Sequence, residues 1–224
     1  MTQERPRIGA LHALANAIPT TDDAFARVWP EAEVAHLLDG SLYLDRNAGT
    51  IDDAETGARI DRLIRYAAST GAQAIIVTGS FFGEFARASR SSVDIPVATS
   101  FDGIIERALG LAVDHPLHIL STAPASAPFL AEALQAEAAN QSVAVDITTA
   151  HVPGAMDGLL GGNPEQHDDL LLEAVRATPP GAAVLFAQFS MERTLPAADA
   201  AREAPVIGPA SEGVRRLRHL VTGR

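Results

Sequence analysis

Apolar residues in this chain come in short runs of four or five. The segments between them carry apolar positions every three or four residues. The clearest run is Ala74–Ile75–Ile76–Val77, which stops at Thr78–Gly79–Ser80 and passes into a helix-compatible segment from Glu84 to Ala88. A continuous β-branched run of this length, closed by small residues, fits a parallel strand buried on both faces. The same design returns at Ala183–Val184–Leu185–Phe186–Ala187, followed by Gln188–Phe189–Ser190–Met191 and a helical segment. Ligands of such sheets collect just beyond the carboxyl ends of the strands, so both turns are candidate binding loops.

The remaining runs fall into the same order. Arg7–Leu11 reads as a first strand ending at His12, and Thr20–Asp23 offers caps for a helix that Trp29–Pro30 stops. Val34–Leu38 reads as a second strand ending at Asp39–Gly40–Ser41. Thr50–Asp53 resembles a capping box opening a long helix to about Ser69, with Ile60, Leu63, Ile64 and Ala67 on one face. Further strands are expected at Ile95–Ala98, Leu117–Leu120, Val143–Ile147 and Val206–Ile207. Further helices are expected at Ser100–Leu111, Ser126–Asn140, from Asn163–Pro164 to about Ala177, and at Ser211–Val221. Residues 7–93 and 115–204 each repeat strand, helix, strand, helix, strand, helix. The pattern predicts an α/β protein of two pseudo-symmetric lobes, each a parallel sheet flanked by helices, with a ligand cleft between them. The first lobe is expected to comprise 1–98 plus 206–224, and the second 99–205.

Composition narrows the chemistry. The chain has 224 residues and a net charge of −11, which disfavours nucleic acid and anionic membrane surfaces. It contains no cysteine and no lysine, which removes thiolate chemistry, disulfides and Schiff bases. No apolar run approaches the roughly 20 residues of a membrane span. The start, Met1–Pro6, is polar and lacks a signal-peptide core, so a cytoplasmic protein is expected. The region after the first strand, Gly9–Leu14, lacks the Gly-x-Gly-x-x-Gly of a dinucleotide site. A Gly-Lys phosphate loop and a Gly-x-Ser-x-Gly elbow are also missing. No cofactor is therefore expected. The histidines show no His-x-x-x-His spacing, so no metal site is expected either, and His115, His118, His151 and His167 read as structural or surface residues.

The candidate site residues sit at predicted strand ends. Gly79, Ser80 and Phe81 can present backbone N–H groups and a hydroxyl to a carboxylate, or form a strand-to-helix turn with a capping serine. Thr122 and Ser190 carry the same two readings. Gln188 can donate to a carboxylate or accept from an N–H, but cannot abstract a proton at neutral pH. His12 is the candidate general base, because imidazole titrates near neutrality; a hydrogen-bonded structural histidine is the alternative. Asp39 reads as a cap or an orienting group, and His36 as a packed strand residue.

These pieces together resemble the aspartate/glutamate racemase superfamily, which includes hydantoin racemases, maleate isomerases and arylmalonate decarboxylases. The resemblance rests on Ile8–Leu11, Asp39–Leu42, Gly71–Ala74 leading to Gly79–Ser80, Leu120–Thr122 and the strand end at Gln188. In that family two cysteines, one per lobe, exchange a proton at the substrate α-carbon. The corresponding positions here resemble Gly79 and Gln188. The resemblance implies a scaffold for a small carboxylate or dicarboxylate, acted on at the α-carbon without thiols. A non-catalytic carboxylate-binding module is the alternative. A homo-oligomer is compatible with either.

Overall fold

The computed structural model describes residues 5–223. The polar start read above therefore lies, for Met1–Glu4, outside the described residues. The chain divides into two compact units, one of Met1–Gly103 with Gly213–Arg224 and the other of Ile104–Glu212.

The first unit contains β1 (Arg7–His12), α1 (Ala17–Val28), β2 (Glu33–Leu38), α2 (Gly40–Asn47), α3 (Asp53–Ser69), β3 (Ala74–Val77), α4 (Gly83–Ala88) and β4 (Val97–Thr99). Its four strands are all parallel, in the order β2-β1-β3-β4. All four residues of β3 are buried. Ile60 and Ile64 of α3 pack with Leu11, Ile75, Val77 and Phe82 in one cluster. The chain then enters α5 (Asp102–Leu111), where the division between the units falls.

The second unit contains β5 (Leu117–Ser121), α6 (Ser126–Gln141), β6 (Ile147–His151), α7 (Ala155–Leu160), α8 (Pro164–Ala177), β7 (Ala183–Phe186), α9 (Leu195–Ala200) and β8 (Val206–Ile207). Its strands are again all parallel, in the order β6-β5-β7-β8. Leu120, Val184 and Phe186 form its core with Leu171, Val175 and Met191. The last helix, α10 (Pro209–Thr222), starts in the second unit and has its remainder grouped with the first. There Arg218 donates to the Val28 carbonyl at 2.8 Å. The two sheets share one topology, so the repeat visible in the sequence is a repeat of fold.

Some expected boundaries move, each for a local reason. α1 begins at Ala17, ahead of the expected caps, and Thr21 turns its hydroxyl back to the Ala17 carbonyl at 2.8 Å. Asp39–Gly40–Ser41 does more than end a strand. The Asp39 carboxylate accepts from the N–H groups of Ser41 and Leu42 and opens α2. The cap of α3 is Asp52, which accepts from Glu55 N–H at 2.8 Å, rather than Thr50. The strand expected at Val143–Ile147 lies at Ile147–His151. Val143 is spent on α6: Ser142 takes a left-handed φ of 57° and Val143 N–H returns to the Ala138 carbonyl at 2.9 Å, which closes the helix. β8 pairs with β7, so Val206–Ile207 belongs to the second sheet and not with the first lobe.

At the amino end of β7, Arg202 closes the α8–β7 connection. Its guanidinium donates to the carbonyls of Val175, Thr178, Pro179, Pro180 and Ala182 at 2.6–3.3 Å. Burial lowers its pKa from the usual arginine value. A planar fork of donors suits such a ring of acceptors, and an ammonium does not. Arg202→Lys is expected to lose about 2 kcal/mol. For a chain of this size that lowers Tm by about 4–8 °C in calorimetry; an unchanged Tm would show that water replaces the fork at no cost.

Candidate functional site

In each unit the central strands of the sheet are followed by polar residues at their carboxyl ends. In the first unit, β1 ends at His12 and β3 ends one residue before Thr78. Thr78 N–H donates to the Leu11 carbonyl at 2.9 Å, and the Thr78 hydroxyl lies 3.1 Å from the same oxygen. The Thr78 hydroxyl also lies 2.9 Å from His12 Nδ1. His12 Nε2 is 2.9 Å from His36 Nδ1, and His36 Nε2 is 2.8 Å from the Asp22 carboxylate. The two imidazoles stack with centroids 5.2 Å apart.

His12 is therefore not a free base on a rim. It is buried, and both ring nitrogens are engaged. Burial, reinforced by the neighbouring His36 and opposed by Asp22, lowers its pKa to about 4. His36, read as a packed strand residue, is the link between His12 and Asp22.

Thr78 leads directly into Gly79. That glycine has φ 91° and ψ 110°, a conformation side chains rarely adopt. A Cβ there would also press on Phe82 at 3.3 Å. The position that resembles a family thiol thus has a backbone suited to glycine. Ser80–Phe82 then forms a 3-10 turn, closed by Phe82 N–H to the Gly79 carbonyl at 3.1 Å. Ser80 is half-buried and is the first residue of this turn rather than its cap, which is Gly79, and Phe81 is 63% exposed.

In the second unit the structure brings Thr122 and Gln188 together. Gln188 Oε1 accepts from Thr122 N–H at 2.7 Å, from the Thr122 hydroxyl at 3.1 Å and from Ala123 N–H at 3.1 Å. Three donors converge on one oxygen, as they would on an anion. Gln188 takes the accepting one of its two anticipated roles, and Thr122 donates to it rather than capping α6. Ser190 does not cap a helix: it lies half-buried in the 3-10 run Phe189–Thr194, ahead of α9. Ser121, the last residue of β5, is fully buried with an unpartnered hydroxyl.

Asp39 has a structural part. Burial pushes its carboxyl up, but hydrogen bonds from Ser41 and Arg59 outweigh this and hold it below the usual range. Arg59 bridges Asp39 and Asp45 at 2.7 and 2.6 Å. Among the described residues no group of three or more His, Cys, Asp or Glu is placed to hold a metal ion. No helix among them is long and apolar enough to cross a membrane.

Thr78, His36 and Asp22 were not singled out as site residues in the sequence. The one signal for Thr78 is that a hydroxyl closes the most apolar run of the chain. The contact between His12 and His36 joins residues 24 apart on neighbouring strands, and no local pattern encodes it.

Residues 17–217 match the family described as Asp/Glu/Hydantoin racemase, and the chain belongs to that family. Among solved structures it is similar to allantoin racemase from Klebsiella pneumoniae, at 17% identity and a TM-score of 0.68 over 96% of this chain and 87% of that one. It is also similar to arylmalonate decarboxylase, at 17% identity and a TM-score of 0.64 over 97% and 93%. Glutamate racemase from Bacillus anthracis follows, at 12% identity and a TM-score of 0.66 over 99% and 83%. At these identities the likeness is one of fold. No curated protein is matched by the sequence.

Two outcomes follow from this geometry. Below pH 6.5 the unfolded chain protonates His12, while the folded chain refuses that proton until about pH 4. The contribution is intact above pH 6.5 and is lost as pH falls from 6.5 to about 4. His12→Gln should therefore flatten the decline of Tm across that window in thermal melts; an equally steep decline would assign it to other groups. Gln188→Ala strands the buried Thr122 donors, at a cost of about 1–3 kcal/mol. Acetate should raise the Tm of this variant by more than it raises that of the wild type.

Proposed function

We propose that this family member binds a small carboxylate at the Gly79–Ser80–Phe81 turn and acts at its α-carbon without thiols. The observation that carries the reading is the positive-φ turn at Gly79, set directly on the hydrogen-bonded Thr78–His12 pair. The turn brings backbone N–H groups and the Ser80 hydroxyl to the carboxyl edge of a buried parallel sheet, where ligands collect. The pair supplies titratable chemistry one residue away. His12 belongs to the acid–base machinery through Thr78 and His36 rather than by direct contact. Thr122, Gln188 and Ser190 form the corresponding polar set of the second unit. Small acids with one or two carboxylates are the ligand class, because the donors are neutral hydroxyls and amides that satisfy carboxylate oxygens.

The absence of cysteine removes the two-thiol route, so any proton exchange must use oxygen or nitrogen groups. A second reading is a carboxylate-binding module without catalysis. It is favoured by Gln188 Oε1, which already occupies three converging donors of the second unit and leaves no titratable group at the second thiol position.

A hydrogen bond to a charged group contributes about 1.5–3 kcal/mol, and 1.4 kcal/mol is a tenfold change in affinity. Ser80→Ala should therefore weaken binding of malonate or succinate roughly tenfold or more in calorimetry, with Tm nearly unchanged. Equal affinity in the variant, or no binding by the wild type at millimolar ligand, would sink the carboxylate reading.

A further inference from the structure

The four side chains Asp22, His36, His12 and Thr78 have a direction that follows from what each can donate. An ionised carboxylate only accepts, so His36 Nε2 carries the proton aimed at Asp22. A neutral His36 then accepts at Nδ1, which requires His12 to donate from Nε2. His12 is left accepting at Nδ1, and the Thr78 hydroxyl donates to it. Every polar atom in the row is satisfied.

One added proton gives a second complete arrangement. A cationic His36 donates from both nitrogens. His12 must then accept at Nε2 and carry its proton on Nδ1, donating to Thr78 Oγ1. The Thr78 hydroxyl turns its hydrogen to the Leu11 carbonyl, 3.1 Å away. Both arrangements use the same atoms at the same distances, and they differ only in the direction of two hydrogen bonds and one hydroxyl rotation. The row also spans the surface and the interior. The Asp22 side chain is 55% exposed and that of His36 22%, whereas His12 and Thr78 are 3% and 2% exposed.

We propose that Asp22, His36, His12 and Thr78 form a proton relay. It runs from the surface at α1 to the end of β3 and serves as the acid–base group for chemistry at the Gly79 turn. This rests on the carboxylate reading of that turn. From the protonated arrangement, the Thr78 hydroxyl turns its hydrogen from the Leu11 carbonyl to the ligand and passes that proton to a carbanion on it. The proton on His12 Nδ1 moves to Thr78 Oγ1, and the proton on His36 Nδ1 moves to His12 Nε2. The relay ends in the neutral arrangement, with His36 uncharged and one new C–H bond formed. Proton abstraction is the same sequence reversed. Thr78 is the catalytic residue of this step, and His12, His36 and Asp22 are positioning and relay residues. The titratable groups facing His12 are His36 from β2 and Asp22 from α1; β3 presents the Thr78 hydroxyl.

The full-length protein, with its histidines labelled with nitrogen-15, tests the relay without any ligand. Near pH 8 both His12 and His36 should show the Nε2–H form. When acid adds one proton to the row, the charge should rest on the outer imidazole, and His12 should convert to the Nδ1–H form at the same midpoint while staying neutral. Thr78→Val, which keeps the shape and removes the hydroxyl, should lower that shared midpoint, because the Nδ1–H of His12 then loses its acceptor. Independent titration of the two rings, or His12 remaining in the Nε2–H form while His36 is charged, would overturn the relay. Its acid–base role is read with malonate in deuterium oxide. The wild type should accelerate exchange of the methylene protons, and Thr78→Val should lose at least tenfold of that acceleration at unchanged malonate affinity. Equal acceleration in the variant, or none in the wild type with malonate bound, would overturn the role. Failure of malonate to bind would remove the carboxylate reading and the role together, and leave the nitrogen spectra to decide the relay.

Discussion

The parallel pairing of β1 with β3, and of β5 with β7, is the constraint on which the rest of this protein depends. In a parallel sheet covered on both faces, the strand interiors must be apolar, and Ala74–Val77 and Ala183–Phe186 are buried throughout. Polar groups are driven to the carboxyl ends, where the chain turns and water or a ligand can reach it. The register Leu11 opposite Val77 and Leu120 opposite Phe186 then decides which polar residues meet. In the first sheet it brings Thr78 to the Leu11 carbonyl and His12 to the Thr78 hydroxyl. In the second it places Gln188 against the Thr122 and Ala123 amides.

The two units solve the same topological problem with different chemistry. The first gathers titratable groups, two imidazoles and a carboxylate, behind a glycine turn. The second gathers neutral donors and fills them with its own amide oxygen. A side chain at Gly79 would require a different backbone, because φ 91° disfavours any L residue. Gln188 has an ordinary extended backbone, so its position is open to substitution, and its side chain is held by what it bonds. The departures from a two-thiol site are thus of two kinds, one fixed by the main chain and one by a hydrogen-bond pattern.

The energetic weight of these edges is modest beside that of the cores. Neutral hydrogen bonds contribute about 1 kcal/mol each, but an unmet buried donor or acceptor costs more. That asymmetry explains why His12, Thr78, Thr122 and Gln188 are each partnered more than once. It also explains why the unpartnered buried hydroxyls of Ser100 and Ser121, just after β4 and at the end of β5, stand out from the rest of the two sheets.

By itself the sequence determined the alternation of strands and helices, the twofold repeat, the buried strands and the strand-end positions of Gly79, Ser80, Thr122 and Gln188. Those features follow from local periodicity and from small residues at turns, which act over a few neighbours. It also determined the exclusion of thiol and lysine chemistry, which needs only composition. It missed α2, because Asp39–Gly40–Ser41 reads as a strand end and turn until its cap commits it to helix, and it missed α7, whose six residues fall outside every element expected from the pattern. It displaced β6 by four residues, because an edge strand with two exposed threonines carries no apolar run. The tertiary structure alone decided that His12 is buried with both nitrogens engaged, that His36 and Asp22 stand behind it, and that Gln188 accepts rather than donates. These are contacts between residues 14, 24 and 66 positions apart, and only long-range properties of the fold, the parallel register of the strands and the packing of α1 beside β2, bring them within hydrogen-bond distance.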